Sequence, residues 1–267
     1  MDVVFLDKNY GFSYAVNEGI KRAKGEYVLL LNNDTVLKEN FLEEILKVME
    51  SDKKIFSVSS KMIQHREHSL IDDAGDEFTL IGWAYKRGDG RPIREFNKEE
   101  RVFSSCAGAA LYRRDLFEEL GYFDETFFAY LEDVDIGYRG NIYGYKSMYA
   151  PKAQVYHIGS ATSGGGYSAF KLKSSARNNV YVIYKNMPLL QLIINLPVLI
   201  LGFIVKQRVF AGKGFGKEYY DGMIEGLKNL KKVKKIPFKM KHIGNYLYIE
   251  WRLIKNSFNY VYMKFKR

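Results

Sequence analysis

The chain is poor in cysteine and, over its second part, in acidic residues. Cys106 is the single cysteine among 267 residues, so no disulfide can form within the chain. Residues 161–267 hold only four Asp and Glu against 20 Lys and Arg, a net charge of +16. Residues 1–160 hold 27 Asp and Glu against 21 Lys and Arg, a net charge of −6. A shift this large predicts two parts with different partners. The first residues also lack the basic start and apolar run of a signal peptide.

Short apolar runs alternate with amphipathic segments over the first third of the chain. Strands are predicted at residues 3–6, 27–31 and 55–59, with a helix at 14–24 and another beginning after Asn40. This β-α-β-α-β order predicts an α/β fold with a mostly parallel sheet flanked by helices. Further on, the sequence predicts a hairpin or an edge strand at 76–83 and helices at 114–120, 133–143 and 170–186.

One long apolar run, LLQLIINLPVLILGFIV, occupies residues 189–205. A spanning helix needs roughly 20 apolar residues, so this run suits a short span, a re-entrant segment, an interfacial helix or a buried soluble helix. Lysines clustered at residues 228–235 beside it favour anionic lipid on the cytoplasmic face of the membrane over nucleic acid. We therefore predict a catalytic domain at residues 1–187 and a helical, basic, membrane-associating extension at residues 188–267.

Polar side chains follow the apolar run of residues 27–31. Asn32, Asn33 and Asp34 come directly after it, and ligands of open α/β sheets bind beyond the carboxyl ends of the strands. A carboxylate among amides there could hold a hard divalent cation through oxygen. The alternative is that Asp34 only caps a turn.

Three carboxylates, those of Glu132, Asp133 and Asp135, open a predicted helix in FFAYLEDVDIGYR. Helix starts favour negative charge, which is the ordinary explanation for such a cluster. The aromatic residues before it could desolvate the acids and raise a pKa, as a general base near neutral pH requires.

Two further segments suit ligand binding. His157 in VYHIGS is the best candidate for a nitrogen ligand, although a lone histidine is more often structural. The small residues of CAGAALY, at 106–112, would let a ligand approach the backbone, or would serve tight packing.

The order of four motifs resembles the family 2 glycosyltransferases of GT-A fold, over roughly residues 5–187. The motifs are NYGFSYAVNEGIKRAKGEYVLLLNNDT, then IDDAGDEF, then CAGAALYRRDLFEELGYFDETFFAYLEDVDIGYR, then GYKSMYAPKAQVYHIGS. They look most like the rhamnosyltransferase-like branch, which builds bacterial and archaeal surface polysaccharides. Members of the family begin with a strand, a helix and a second strand that holds the nucleotide base. The resemblance therefore implies that such a segment would precede Met1 and that this chain is truncated, a fragment or a degenerate copy.

The resemblance also implies a role for individual residues. Asp34 would be the principal carboxylate for Mg²⁺ or Mn²⁺, and His157 would complete the metal site. Asp133 would be the general base, with Glu132 beside it. The residues expected near the nucleotide sugar are Asn9, Gly11, Asn17, Asn32, Asn33, Gly108, Ala109 and Arg177.

The function implied is inverting transfer of a sugar, rhamnose by analogy with the branch, from a nucleotide-diphosphate donor. The acceptor would be a polysaccharide or a lipid-linked glycan at the cytoplasmic face of the cell membrane. Three alternatives stay open: an inactive remnant, a metal-dependent hydrolase using the same acids, and a nucleic-acid-binding protein that uses the basic second part.

Overall fold

The computed structural model describes residues 2–159 and 167–265, which form eight helices and nine strands. The elements in chain order are α1 Phe12–Arg22, β1 Tyr27–Leu31, β2 Thr35–Leu37, α2 Phe41–Glu50, β3 Ile55–Gln64, β4 Ile71–Asp73, β5 Asp76–Phe78, β6 Ala84–Lys86, β7 Glu100–Val102, β8 Ala109–Arg113, α3 Leu116–Leu120, α4 Glu132–Tyr143, β9 Lys146–His157, α5 Ala169–Asn186, α6 Leu189–Ala211, α7 Gly216–Lys228 and α8 Ile243–Phe265.

The central sheet has seven strands and confirms the predicted α/β class. Its main order is β1-β8-β3-β9-β2, with β4 beside β3 and β7 beside β9. Among the described pairings, β3 with β9 is the only parallel one, so the prediction of a mostly parallel sheet was wrong. The β-α-β pattern did imply correctly that β1 and β3 point the same way. It carried no sign that β8, from a later segment, would run antiparallel between them.

The strand expected at residues 3–6 is also absent. These residues have no regular structure and are exposed, with Phe5 90% accessible. An apolar run alone indicates a strand only where a neighbouring strand can take its backbone hydrogen bonds, and no described strand pairs with this segment. The expected helices and the remaining strands occur at the predicted places.

Two layers of helices cover the sheet. On one face, Phe41, Ile45 and Met49 of α2 pack with apolar side chains of β3 and β9. On the other, Tyr138 of α4 packs in one cluster with buried residues of α5, α6 and α8. The helices of the basic second part therefore share a core with the helix that carries the acidic cluster.

The helix α6 combines a packed face with an exposed apolar face. It is the one helix in the described ranges that is long and apolar enough to cross a membrane by length and composition, and only 17% of its most apolar window is buried. Gly202 lies against the turn between β5 and β6, where an added Cβ would come within 2.2 Å of the Ile81 carbonyl oxygen. The indole nitrogen of Trp83 donates to the Gly202 carbonyl at 3.1 Å. Close packing on the globular domain thus fixes this helix along one side.

Candidate active site

A cleft of about 810 Å³ opens where β1, β8, β9, the start of α4 and the β5–β6 hairpin meet. Its lining includes seven of the twelve residues that the sequence singled out. These are Asn32, Asn33, Asp34, Gly108, Glu132, Asp133 and His157.

Antiparallel pairing of β2 with β9 brings Asp34 to His157. Thr35 pairs with His157, and the backbone nitrogen of Ile158 donates to the Asp34 carbonyl at 2.9 Å. The Nε2 atom of His157 then lies 3.5 Å from Oδ1 of Asp34. That Oδ1 is buried and has no hydrogen-bond partner in the described structure. A carboxylate oxygen and an imidazole nitrogen directed at one point fit a divalent cation held between them.

A third residue, Asp72 of β4, orients the histidine. Its Oδ2 lies 2.8 Å from Nδ1 of His157 and 3.0 Å from Nζ of Lys86. Burial opposes ionisation of Asp72, but the hydrogen bond from His157 and the charge of Lys86 lower its pKa to about 2. The carboxylate can therefore only accept, so Nδ1 carries the proton and Nε2 is left as a ligand. The sequence analysis did not single out Asp72, although IDDAGDEF contained it.

The loop before α4 places the acidic pair in the cleft under backbone strain. Tyr130 and Leu131 have φ of 73° and 65°, the left-handed region that side chains other than glycine rarely adopt. The amide of Asn178 holds this loop by donating to the carbonyls of Phe127, Ala129 and Tyr130 at 2.9, 2.8 and 2.7 Å. Strain that is held by such a network is typical of a functional site.

The two acids at the start of α4 have raised pKa values. Burial raises the pKa of Asp133, whose Oδ1 accepts from the Val134 nitrogen at 2.8 Å. Burial and the charge of Asp133 raise the pKa of Glu132 to about 8, and its Oε2 has no hydrogen-bond partner among the described residues. Asp133 is the more accessible of the two, since Glu132 is only 6% exposed. The pair can thus share one proton, with Asp133 facing the cleft as a base.

A second group of candidate ligands lies deeper. Ligand atoms of Asp73, Asp76 and Cys106 lie within 4.8 Å of one another. Burial raises the pKa of Asp73 to about 7 and raises those of Asp76 and the Cys106 thiol well above their ordinary values. Three groups that favour their neutral forms suit a cation less well than the carboxylate and imidazole of Asp34 and His157.

Three predicted nucleotide contacts at the start of the chain lie outside the cleft lining. Asn9 accepts from the Gly11 nitrogen at 2.9 Å. Gly11 has φ of 92° and packs so closely on Phe128 that an added Cβ would meet its carbonyl at 2.5 Å. The Asn17 side chain exchanges hydrogen bonds with the backbone of Phe123, at 2.8 and 3.0 Å. Gly11 and Asn17 therefore hold α1 against the segment before α4, while the Asn9 side chain bonds only the backbone at the start of α1.

Ala109 and Arg177 are not among the lining residues either. Ala109 is fully buried in β8. Arg177 pairs with Glu225 of α7 at 3.2 Å and donates to the Phe127 carbonyl at 3.0 Å. The basic residue that α5 presents to the cleft is Lys171, which the sequence analysis missed. Arg177, which the sequence analysis did single out, instead helps to hold the loop before α4.

Comparison with known proteins gives the class to which this fold belongs. Residues 2–121 match the family model described as glycosyl transferase family 2. In structure, the chain resembles GalNAc-T7, solved with UDP, GalNAc and Mn²⁺, at a TM-score of 0.53 and 18% identity. That likeness covers 67% of this chain and 35% of the other, and supports the GT-A fold. Residues 2–121 are thus similar to family 2 glycosyltransferases, and the chain has the GT-A fold.

The curated relatives include poly-beta-1,6-N-acetyl-D-glucosamine synthases. The protein from Staphylococcus epidermidis is 25% identical over 163 residues, and that from Staphylococcus aureus strain COL is 24% identical over 167 residues. Each match covers 61% of this chain, which spans 37% and 38% of the relatives' lengths. The family match contains Asp34, Asp72 and Gly108, whereas Asp133 and His157 lie beyond it and rest on the geometry of the cleft.

We expect the raised pKa of Glu132 to make the protein less stable as the pH rises. Between the ordinary value of 4.5 and about 8, the unfolded chain releases a proton that the folded chain keeps. This group therefore lowers the free energy of unfolding by about 1.4 kcal/mol per pH unit in that window. Glu132→Gln should remove this contribution, which urea unfolding across the window would measure. Equal slopes for the wild type and the variant would contradict the assignment.

Proposed function

We propose that this protein transfers a sugar from a nucleoside-diphosphate donor to an acceptor hydroxyl, with inversion at the anomeric carbon and with the help of Mg²⁺ or Mn²⁺. The observation that carries the proposal is the convergence of Asp34, His157 and Asp133 in one cleft of a GT-A fold. We favour an active transferase over an inactive remnant, because these three side chains are all present in the cleft and their surroundings suit the proposed roles.

The charge of the cleft explains the need for a cation. Asp34 and the pair of Glu132 and Asp133, which shares one proton, line it, so a bare diphosphate would meet negative charge there. Asp34 and His157 would hold the cation, which neutralises charge on the departing diphosphate when it is bound. Lys171, which also lines the cleft, is the basic residue we assign to the donor phosphates in place of Arg177. Asn32 packs over Gly108 and closes the donor side.

Transfer would then proceed in one displacement. The acceptor oxygen attacks the anomeric carbon, the bond from that carbon to the diphosphate oxygen breaks, and the nucleoside diphosphate leaves. Asp133 takes the proton from the acceptor hydroxyl, for which its raised pKa and its place in the cleft are suited. The hairpin residue Asp76, neutral by burial, would donate a hydrogen bond to a sugar hydroxyl.

Two donor sugars are favoured by different observations. The motif pattern suggests rhamnose, whereas the curated relatives are named as poly-N-acetylglucosamine synthases. A panel of nucleotide sugars, screened by thermal shift with and without Mn²⁺, would identify the donor. The transferase proposal fails if no nucleotide sugar raises the Tm in the presence of Mn²⁺.

Asp133→Asn should abolish transfer while nucleotide-sugar binding persists. The amide has the shape of the carboxylate but cannot accept a proton, so we expect kcat to fall at least about 100-fold. Donor binding should change little, as measured by calorimetry with Mn²⁺ present. Asp115→Asn, at an exposed aspartate without a side-chain cap bond, is the matched control. Near-normal turnover by Asp133→Asn would assign the base elsewhere.

Asp72→Asn should weaken Mn²⁺-dependent donor binding although Asp72 does not reach the proposed cation. An amide can donate to Nδ1 and leave the proton on Nε2, which could then no longer serve as a ligand. We expect a loss of about tenfold or more in Mn²⁺ affinity, as is usual for partners of metal-binding histidines. Asp34→Asn should lose more Mn²⁺ affinity than Asp72→Asn, because it changes a proposed ligand itself. Unchanged Mn²⁺ titration in both variants would remove this site from the proposal.

We also propose that the enzyme works on the membrane surface through exposed apolar stripes on α6 and α8. Leu201 is 58% and Phe258 73% exposed, and basic residues surround both helices. The packing of α6 on the β5–β6 turn favours a helix lying in the interface over one that spans. A docked enzyme would meet a lipid-linked acceptor on the cytoplasmic face.

Combined Leu201→Ser and Phe258→Ser changes should reduce vesicle binding about tenfold or more, because two large apolar contacts are lost. Flotation with phosphatidylcholine vesicles, with and without phosphatidylglycerol, measures this. Leu42→Ser on α2, where Leu42 is 53% exposed, is the matched control. High salt should weaken binding to the anionic vesicles. Equal flotation of all three proteins would exclude these stripes as the membrane contact.

A further inference from the structure

One wall of the cleft comes from α6, α8 and the β5–β6 hairpin, and it carries two lysines that the proposed donor site does not use. Lys206 and Lys264 both line the cleft, together with Trp83, Tyr260 and Met263. Lys206 Nζ lies 5.5 Å from the Trp83 ring centroid, and Lys264 Nζ lies 5.5 Å from that of Tyr260. The two rings meet edge to face at 5.5 Å. We call these five residues the lysine–aromatic wall.

Neither lysine forms an ion pair with a carboxylate in residues 2–159 and 167–265. By contrast, Lys86 elsewhere in the cleft is paired with Asp72. Lys206 is only partly exposed, and burial lowers its pKa to about 8. A desolvated ammonium without a counter-charge is unfavourable, so its place in a cleft indicates an anionic ligand.

The lysine–aromatic wall lies where the cleft meets the apolar stripes. Val205 and Val209 lie beside Lys206 on α6, one and three residues away, and Val261 and Phe265 lie likewise beside Lys264 on α8; all four are exposed. The helices run side by side in the same direction. Gln191 and Asn195 near the start of α6 bond Glu250 of α8 at 2.6 and 3.0 Å. Further along, Trp83 joins Lys206 to Tyr260. A ligand in this part of the cleft would therefore contact both cationic and apolar surface.

We propose that the lysine–aromatic wall binds the phosphate or diphosphate of an acceptor sugar carried on a lipid, with the lipid chain lying along the apolar stripes of α6 and α8. This inference rests on the proposed transferase function and names its acceptor class. Lysine ammonium groups bind phosphate oxygens, and the faces of Trp83 and Tyr260 suit the apolar face of a sugar ring. A soluble donor has no apolar group that could contact the apolar stripes beside the wall, whereas the lipid chain of a lipid-linked acceptor could pack on them.

Binding of a short lipid diphosphate tests the lysine–aromatic wall directly. The probe is farnesyl diphosphate in mild detergent. Farnesol, its lipid part, and inorganic diphosphate, its phosphate part, are measured separately. Lys206→Gln and Lys264→Gln should each weaken farnesyl diphosphate binding about tenfold, the loss expected for one charge-assisted contact. Lys206→Arg should retain most of the affinity. Lys47→Gln, at an exposed lysine on α2, is the matched control and should bind as the wild type does.

The two parts of the probe separate the possible ligands. Farnesol should bind weakly and inorganic diphosphate should bind weakly, because each lacks half of the contacts. If inorganic diphosphate binds as tightly as the whole probe, with the same dependence on Lys206, the ligand is a free phosphate compound and the lipid assignment is wrong. If farnesol binds as tightly as farnesyl diphosphate, or if Lys206→Gln leaves farnesyl diphosphate binding unchanged, the phosphate assignment is wrong.

Two further measurements complete the test. UDP with Mn²⁺ should leave farnesyl diphosphate binding unchanged, and displacement of the probe would place it in the donor site and overturn the inference. A loss of self-association in Leu201→Ser, seen by sedimentation, would show that a second copy covers the stripes and would equally overturn it. Mn²⁺-dependent nucleotide-sugar binding is measured separately on the same proteins. Its absence in the wild type would defeat the transferase proposal even if the lipid diphosphate binds.

Discussion

The pairing of the short strand β2 with the end of β9 is the contact on which the site depends. It puts Asp34, from the first third of the chain, 3.5 Å from His157, more than a hundred residues later. Its ladder is only three residue pairs long. A second contact fixes the histidine, because Asp72 forms a hydrogen bond with Nδ1 on the other side of the ring. Three strands therefore fix two candidate ligand atoms, and the unpartnered oxygen of Asp34 is the consequence of that arrangement.

A network of polar contacts around α5 fixes Asp133, the proposed catalytic carboxylate, in a comparable way. Asn178 holds a loop in which successive residues adopt left-handed backbone angles, and this loop starts α4. Arg177 contributes to the same loop and to α7. Asp135, the third acid of the cluster, is fully buried and bonds Arg139, Lys185 and Asn186. Acids that are close in sequence thus have different roles, since Asp135 links α4 to α5 while Asp133 lines the cleft.

The sequence predicted which residues meet in the cleft better than it predicted the direction of the strands. Carboxylates and histidine are chemically distinctive, so Asp34, Asp133 and His157 were recognisable without knowledge of their neighbours. Strand direction is a long-range property, and the apolar run of β8 looks the same in either direction. Asn17 and Arg177 show a related limit, because a conspicuous polar residue can bind backbone as readily as ligand. Asp72 and Lys171 were missed since only the folded chain shows that one contacts His157 and the other lines the cleft.

The charge asymmetry of the chain acquires a physical meaning once the helices are in place. The acidic first part supplies the carboxylates of the proposed donor and cation site. The basic second part supplies helices that share the core of the first, so lysines from α6 and α8 enter the wall of the same cleft. The proposed reaction, between a cation-bound diphosphate donor and an anionic, lipid-bound acceptor, needs opposite charges within one cavity. Joining an acidic sheet edge to basic, apolar helices provides both, and would bring the reacting groups of that proposed reaction to the level of a membrane surface.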